Sequence, residues 1–229
     1  MIDHRTNIFL DIETIPGNTF MNTEVADTIK PPGNIKKVET LKAWEEETKP
    51  GAVESAVRAL ALHPAYCQIV ALSWAIDSED PQTYYGQDER AILDCFMADL
   101  RKALEAKNDG YAYRMVGHNI TGFDLPVLIT RCFVNGVSVA VLPIMQDCKP
   151  WYNQRTFDTL YQLSNGNFKG WSLGNCAKLL GLKDDYPHID GSMVYDLWRG
   201  GFCQEVADYC EGDVRLVRQL FHRMADYYL

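Results

Sequence analysis

The chain has no long hydrophobic run. Its most apolar stretch, Ile69-Val70-Ala71-Leu72-Ser73-Trp74-Ala75-Ile76, stops at Asp77, far short of the ~20 residues a membrane helix needs. Residues Met1 to Asn7 lack the basic-then-apolar layout of a secretion signal. Cysteine shows no pairing pattern: the seven residues (67, 95, 132, 148, 176, 203, 210) are odd in number, scattered, and contain no C-x-x-C. That argues against a disulfide framework or a cysteine zinc site, so reduced core thiols in a cytoplasmic protein are expected. His4, His188 and His222 show no ligand spacing either. The chain carries no P-loop, no local nucleophile signature, no internal repeat and no low-complexity tract. Basic charge is scarce, with 22 Lys and Arg against 31 Asp and Glu for a net charge of −9. A protein that coats nucleic acid needs a basic stripe, so this balance argues against a general binder.

What is present suits one α/β domain. At 229 residues and 47% hydrophobic content the chain can bury a substantial core. Ile8 to Glu13 alternates, which places Ile8, Leu10 and Ile12 on one face of a strand and Phe9, Asp11 and Glu13 on the other. Pro16-Gly17 ends it. Residues 17–64 change character. A loop-like Lys30-Pro31-Pro32-Gly33-Asn34 precedes a charged stretch from Lys36 to about Thr48, and Gly51 to Leu62 reads as a further helix stopped by Pro64. With too few apolar residues for its own core, 17–64 reads as an insertion within a single domain of residues 1–229. Its lysines (30, 36, 37, 42) form either a solvated face or a nucleic-acid path.

Tyr66 to Ile76 and Gln82 to Tyr85 read as antiparallel strands, and Asp88 caps a helix with Ile92, Leu93, Phe96, Leu100 and Leu104 at helical spacing. Met115 to Gly117 is a short strand. A helix follows from Asp124, with Leu125, Leu128, Ile129, Cys132 and Phe133 as its stripe and Gly136 at its end. Thr156 to Leu160 reads as a strand end or helix start, Ser172 caps a short helix closed by Gly181, and the last helix runs from about Cys203 to Tyr227.

Three acidic clusters carry the chemistry. Asp11-x-Glu13 alone is weak, since a chain of this composition holds roughly one such pair by chance, but both acids lie within an apolar strand. In Asn119-Ile120-Thr121-Gly122-Phe123-Asp124, Asn119 can donate to a phosphate or sugar oxygen and bond its own loop. Asp124, read alone, is a capping residue. Tyr209 and Asp213 are four apart and share a helix face, where an aspartate is costly unless paired or metal-bound. Four carboxylates gathered together repel one another unless cations lie between them, and Mg²⁺ or Mn²⁺ prefers such oxygen ligands. A carboxylate site with two such ions suits in-line displacement at a phosphodiester. Bound cations also supply positive charge where a phosphate sits, so an acidic chain can still act on one strand end. Asp184, Asp185 and Asp190 read as solvated loop acids, and Asp158 as a secondary acid or a structural cap.

In order and residue type, these motifs resemble the DEDD 3′-5′ exonucleases of the tyrosine subgroup (DEDDy). The chain looks most like the predicted exonucleases related to the proofreading domain of family B DNA polymerases. His63-Pro64 followed by Gln68-Ile69-Val70-Ala71-Leu72, and Tyr209-Cys210-Glu211-Gly212-Asp213-Val214, suit that branch. The resemblance spans about residues 7 to 225 and implies an RNase H-like core, a five-stranded mixed sheet flanked by helices, here with a helical insertion after the first strand. It further implies that Asp11, Glu13 and Asp213 hold a first Mg²⁺ or Mn²⁺, that Asp11 and Asp124 serve a second, and that Tyr209 orients the attacking water. Thr14, His118, Asn119 and Phe123 would meet the substrate, Phe123 chiefly as a loop anchor. The implied activity is release of 5′-mononucleotides from single-stranded 3′ ends, of DNA rather than RNA, alongside a separate replication or repair protein and without a membrane. Three alternatives stay open: an exoribonuclease, a non-catalytic module that binds nucleic-acid ends, and another metal nuclease on a related core that would not need Tyr209.

Overall fold

In the computed structural model, residues 5–17, 22–107, 113–142, 155–165 and 171–228 are described; Cys148 lies outside them. The alternating segment forms β1 (Thr6–Pro16), and the two expected antiparallel strands form β2 (Cys67–Ile76) and β3 (Gln82–Tyr85). β4 (Tyr113–Gly117) and β5 (Thr156–Asp158) run parallel to β1. The order β3-β2-β1-β4-β5 makes a five-stranded mixed sheet with β1 at its centre.

The pleat of β1 separates two cores. Ile8, Leu10 and Ile12 pack under α4 (Glu89–Lys107) and α5 (Asp124–Asn135) through Phe96, Leu100, Leu125 and Leu128. Phe9 faces the other way, against Val214, Val217, Leu220 and Phe221 of α9 (Cys203–Tyr228). Asp11 and Glu13 continue the Phe9 face beyond the end of the β4 ladder, whose last pair is Phe9 with Val116. Immediately after Glu13 the pairing with β2 slips by one residue, an irregularity of the kind that re-aims side chains beside sites.

Local signals end the helices where the sequence places them. Asp88 Oδ1 accepts from the Ala91 amide at 3.1 Å. Gly136 closes α5 and Gly181 closes α7 (Leu173–Leu180) in the left-handed region, with φ of 68° and 63°. Between β1 and β2 lie α1 (Asn22–Thr28), α2 (Val38–Ala43), a π turn at Trp44–Thr48, α3 (Lys49–Ala59) and a 3-10 turn at Leu60–Leu62. This segment buries Trp44 and Val57 and is tied to the remainder by Arg58, whose guanidinium forks onto Asp196 at 2.6 and 2.9 Å. Asp196 belongs to α8 (Val194–Arg199), a one-and-a-half-turn helix that the sequence pattern does not announce; α6 (Thr159–Leu163) follows β5 directly. Among the described residues, no helix is long and apolar enough to cross a membrane.

Candidate active site

α9 is amphipathic, and it lies across β1 and β2 by burying Val206, Cys210, Val214 and Val217. Beside that stripe it presents Tyr209 and Asp213 to the open end of β1. One donor atom each from Asp11, Glu13 and Asp213 lies within 4.8 Å of the other two, although Asp213 is two hundred positions away in the chain. Asp11 Oδ2 is buried with no hydrogen-bond partner, an arrangement disfavoured for a carboxylate unless something else is bound there. Beneath it, the buried Cys210 thiol donates to the Asp11 carbonyl at 3.4 Å.

Asp124 is the first residue of α5 rather than its cap; Phe123 takes the cap position and makes no side-chain cap bond. The Asp124 carboxylate, 4% exposed, accepts from its own amide and from the Ile12 amide, which places it against β1. It falls outside the 4.8 Å group but acts electrostatically on Asp11 and Glu13.

Burial, then mutual repulsion, governs how these acids titrate. Asp11 is pushed well above the carboxylate range by desolvation, with Asp213, Glu13 and Asp124 adding to it. Glu13 is raised by desolvation and then by Asp213 and Asp124. Asp124 is pushed up to about 7 by desolvation, with Asp158 and Asp213 contributing and the Ile12 amide opposing. Asp213 also rises to about 7 through desolvation, although the Tyr209 hydroxyl bonds it and favours its charge. Tyr209 itself is held protonated by burial and by the surrounding acids. A nest of oxygen ligands that resists ionisation, with one oxygen unpartnered, fits hard divalent cations.

The second motif is held in shape by Asp158. Asp158 is 3% exposed and accepts from the amides of Asn119 and Thr121 at 3.0 Å and from Thr121 Oγ1 at 2.6 Å. It also caps α6 through the amides of Leu160 and Tyr161. Asn119 consequently sits at φ 63°, and its Oδ1 lies where a Cβ on Gly122 would be, 2.4 Å from it. Replacing Asp158 by Ala strips five donors of their acceptor. Chemical denaturation should show a loss of about 3 kcal/mol or more, against a smaller loss for Asp158→Asn, which keeps one acceptor oxygen.

The remaining expected substrate contacts are committed to the fold. Thr14 Oγ1 donates to the Ala61 carbonyl at 2.7 Å. His118 spends Nδ1 on Thr159 Oγ1 at 2.9 Å and Nε2 on the Trp171 carbonyl at 2.6 Å, and burial lowers its pKa. Phe123 packs against the larger core, as a loop anchor does.

A cavity of about 310 Å³ opens beside Tyr209 and Asp213, walled in part by Asn175, Lys178, Asp184 and His188. Asp184, half-buried, belongs to a wall of this cavity. It faces Asp213 and adds to the raising of its pKa. The loop is seated by Tyr186, whose ring lies against Gly212; a Cβ there would come within 2.6 Å of it. A glycine inside a helix, next to an acidic motif residue, is the one sequence mark of that contact.

Comparison with solved structures finds the same fold in the family B DNA polymerase from the hyperthermophilic archaeon Pyrobaculum calidifontis, at TM-score 0.60 and 17% identity. The match covers 96% of this chain and 24% of that one, so the chain spans about a quarter of the polymerase's length. No curated protein matches the sequence. A family model matches residues 62–227, which include the Asn119–Asp124 and Tyr209–Asp213 motifs and leave Asp11 and Glu13 outside. The chain belongs to the family of predicted 3′-5′ exonucleases related to the exonuclease domain of PolB.

Proposed function

We propose that the chain is a metal-dependent exonuclease that removes 5′-mononucleotides from the 3′ end of single-stranded DNA. The observation that carries this reading is the convergence of Asp11, Glu13 and Asp213 within 4.8 Å, around a buried oxygen with no partner. Asp11, Glu13 and Asp213 would hold one Mg²⁺ or Mn²⁺, and Asp11 with Asp124 a second. Such ions, when bound, supply acidification of the attacking water and neutralisation of the leaving oxygen.

The side chains provide the remaining work. Tyr209, beside Asp213, turns its hydroxyl toward the attacking water and fixes its direction. The water oxygen bonds to phosphorus as the P–O3′ bond breaks, leaving a 5′-phosphate on the released nucleotide and a 3′-hydroxyl on the strand. The loop built on Asp158 sets Asn119 and Asp124 beside the strand terminus. Thr14 and His118, whose polar atoms bond within the fold, hold the walls of the site. A proofreading or repair role would be exercised with a separate replication or repair protein.

A 5′-labelled single strand incubated with Mg²⁺ or Mn²⁺ should give a stepwise ladder from its 3′ end, and EDTA should stop it. A strand that stays intact for hours while bound would instead indicate an end-binding module. Labelled DNA and RNA competing in one digest test the sugar preference, with DNA expected to disappear first. Tyr209→Phe should slow turnover about 10- to 100-fold, as loss of an outer partner at a metal site does. An unchanged rate would exclude the tyrosine-dependent mechanism.

A further inference from the structure

The helices between β1 and β2 enclose a second space, which the reaction above does not use. α1 packs on α3, and together with Tyr66 they border an open cleft of about 330 Å³. Val25, Ala56, Leu60 and the Tyr66 ring give it an apolar lining. Of its two polar members, Thr28 turns its hydroxyl back to the Val25 carbonyl at 2.7 Å, and Glu24 is exposed. The Tyr66 ring stacks on His63, centroids 4.5 Å apart and planes 29° from parallel, and the residue remains 38% exposed.

The cleft is anchored to the candidate active site. The Gly17 amide donates to the Tyr66 carbonyl at 2.8 Å, and a Cβ on Gly17 would stand 2.8 Å from that oxygen. Gly17, just past the end of β1, lies four residues beyond Glu13, roughly 13 Å at ~3.3 Å per residue. A single strand covers that distance in about two to four nucleotides, at ~3.4 Å each when stacked and more when extended.

The lining selects the kind of guest. An aromatic face over an apolar floor suits a flat ring, and base–aromatic stacking tolerates any sequence. Glu24 repels phosphate but can accept from an exocyclic amine, as carboxylates do from cytosine. Lys30, Lys36, Lys37 and Lys42 are exposed in the same segment, among acids such as Glu39 and Glu45 to Glu47. We propose that this cleft holds one base of the strand, two to four nucleotides upstream of the bond being cut, with Tyr66 as its stacking wall. This rests on the exonuclease reading of the carboxylate cluster.

The test uses a twelve-nucleotide DNA strand carrying 2-aminopurine at one position, with the full chain in an Asp11→Asn background so that the strand is not shortened. Fluorescence should be quenched on binding when the probe stands three or four nucleotides from the 3′ end, and not when it stands eight away. Tyr66→Ala, which removes the wall, and Ala56→Trp, which fills the space, should each weaken binding about 5- to 100-fold. Tyr66→Phe should bind as the parent does. With Asp11 restored, all three variants should cut a dinucleotide at the unmodified rate, because it does not reach the cleft. Undiminished binding by both folded variants, Tyr66→Ala and Ala56→Trp, would overturn the proposal and leave the cleft to another occupant, such as a protein segment. Base stacking that persists in a wild-type chain unable to shorten any strand would sink the exonuclease reading and leave this one standing.

Discussion

Asp11→Asn should abolish strand shortening and, in the absence of metal, make the protein more stable. The two effects have one origin. Asp11 lies at the centre of the acidic nest, and the charge on every neighbour raises its pKa. On the proposed reading Asp11 serves both cations, so losing it removes several kcal/mol of charge stabilisation, or at least about 10³-fold in rate. The same substitution removes one of the mutually repelling carboxylates, so the empty site is relieved of strain. The sign follows from linkage. A carboxyl whose pKa is higher in the fold than in the unfolded chain keeps its proton longer in the fold. Below the ordinary value of 3.8 the shift has no effect on stability. Between 3.8 and about 7, where Asp124 and Asp213 titrate, stability falls as pH rises, and above that it levels off. For Asp124 the full shift is an upper bound of about 4 kcal/mol.

Thermal melts in EDTA should therefore show the wild-type protein losing several degrees between pH 5 and pH 8, and Asp11→Asn losing less. Saturating Mn²⁺ at pH 8 should raise the wild-type melting temperature, by about 2.7 kcal/mol of stability at one hundred times Kd, and leave Asp11→Asn nearly unmoved. A wild-type melting temperature that is flat across this range would mean the acids are not buried against one another as described.

How much of this was legible in the sequence depends on the range over which each signal acts. The alternation of β1 places Asp11 and Glu13 on the Phe9 face, and the spacing of Tyr209 and Asp213 puts them on one face of α9; both are local periodicities. The glycines at 136 and 181 end helices by their own backbone freedom. The role of Asp158 was not decidable in this way. Its partners, Asn119 and Thr121, stand 39 and 37 positions away, and only the parallel pairing of β4 with β5 brings them to it. The resemblance offers His118 to the substrate, and nothing local in the sequence reveals the Trp171 carbonyl that takes its second nitrogen. Nothing local shows that Asp184 shares a cavity wall with Asp213, because Tyr186 reaches its seat on Gly212 across a loop. α8 leaves no mark in the sequence because six residues are too few for a helical period to show.

The largest structural loss is expected from Glu89→Ala, at a residue far from the chemistry in sequence and with no motif to mark it. Glu89 is 6% exposed and every oxygen of it is engaged. Oε1 accepts from the Ile69 amide at 2.7 Å and from Arg131 Nε at 2.9 Å. Oε2 accepts from Arg131 Nη2 at 2.6 Å and Asn135 Nδ2 at 2.7 Å. The Ile69 amide needs this partner because β3 pairs only with Ala71 to Trp74, so Ile69 lies beyond its reach. Arg131 also donates to the Ala65 carbonyl at 3.2 Å, beside Tyr66. One buried ion pair thus joins α4, α5 and the start of β2, next to the register slip that follows Glu13. Truncating it leaves the Arg131 cation buried without a counter-charge, a change that costs about 3–5 kcal/mol, or a fall of about 10 °C in melting temperature for a chain of this size. Because Asp124 opens the helix that carries Arg131, half-activity should then need more Mn²⁺ even at temperatures where the variant is folded. The double substitution Glu89→Met with Arg131→Met separates charge from shape. If the loss comes from the orphaned cation, the apolar pair should recover at least half of the lost stability. If the four hydrogen bonds themselves hold the helices in place, the double variant will be as unstable as Glu89→Ala.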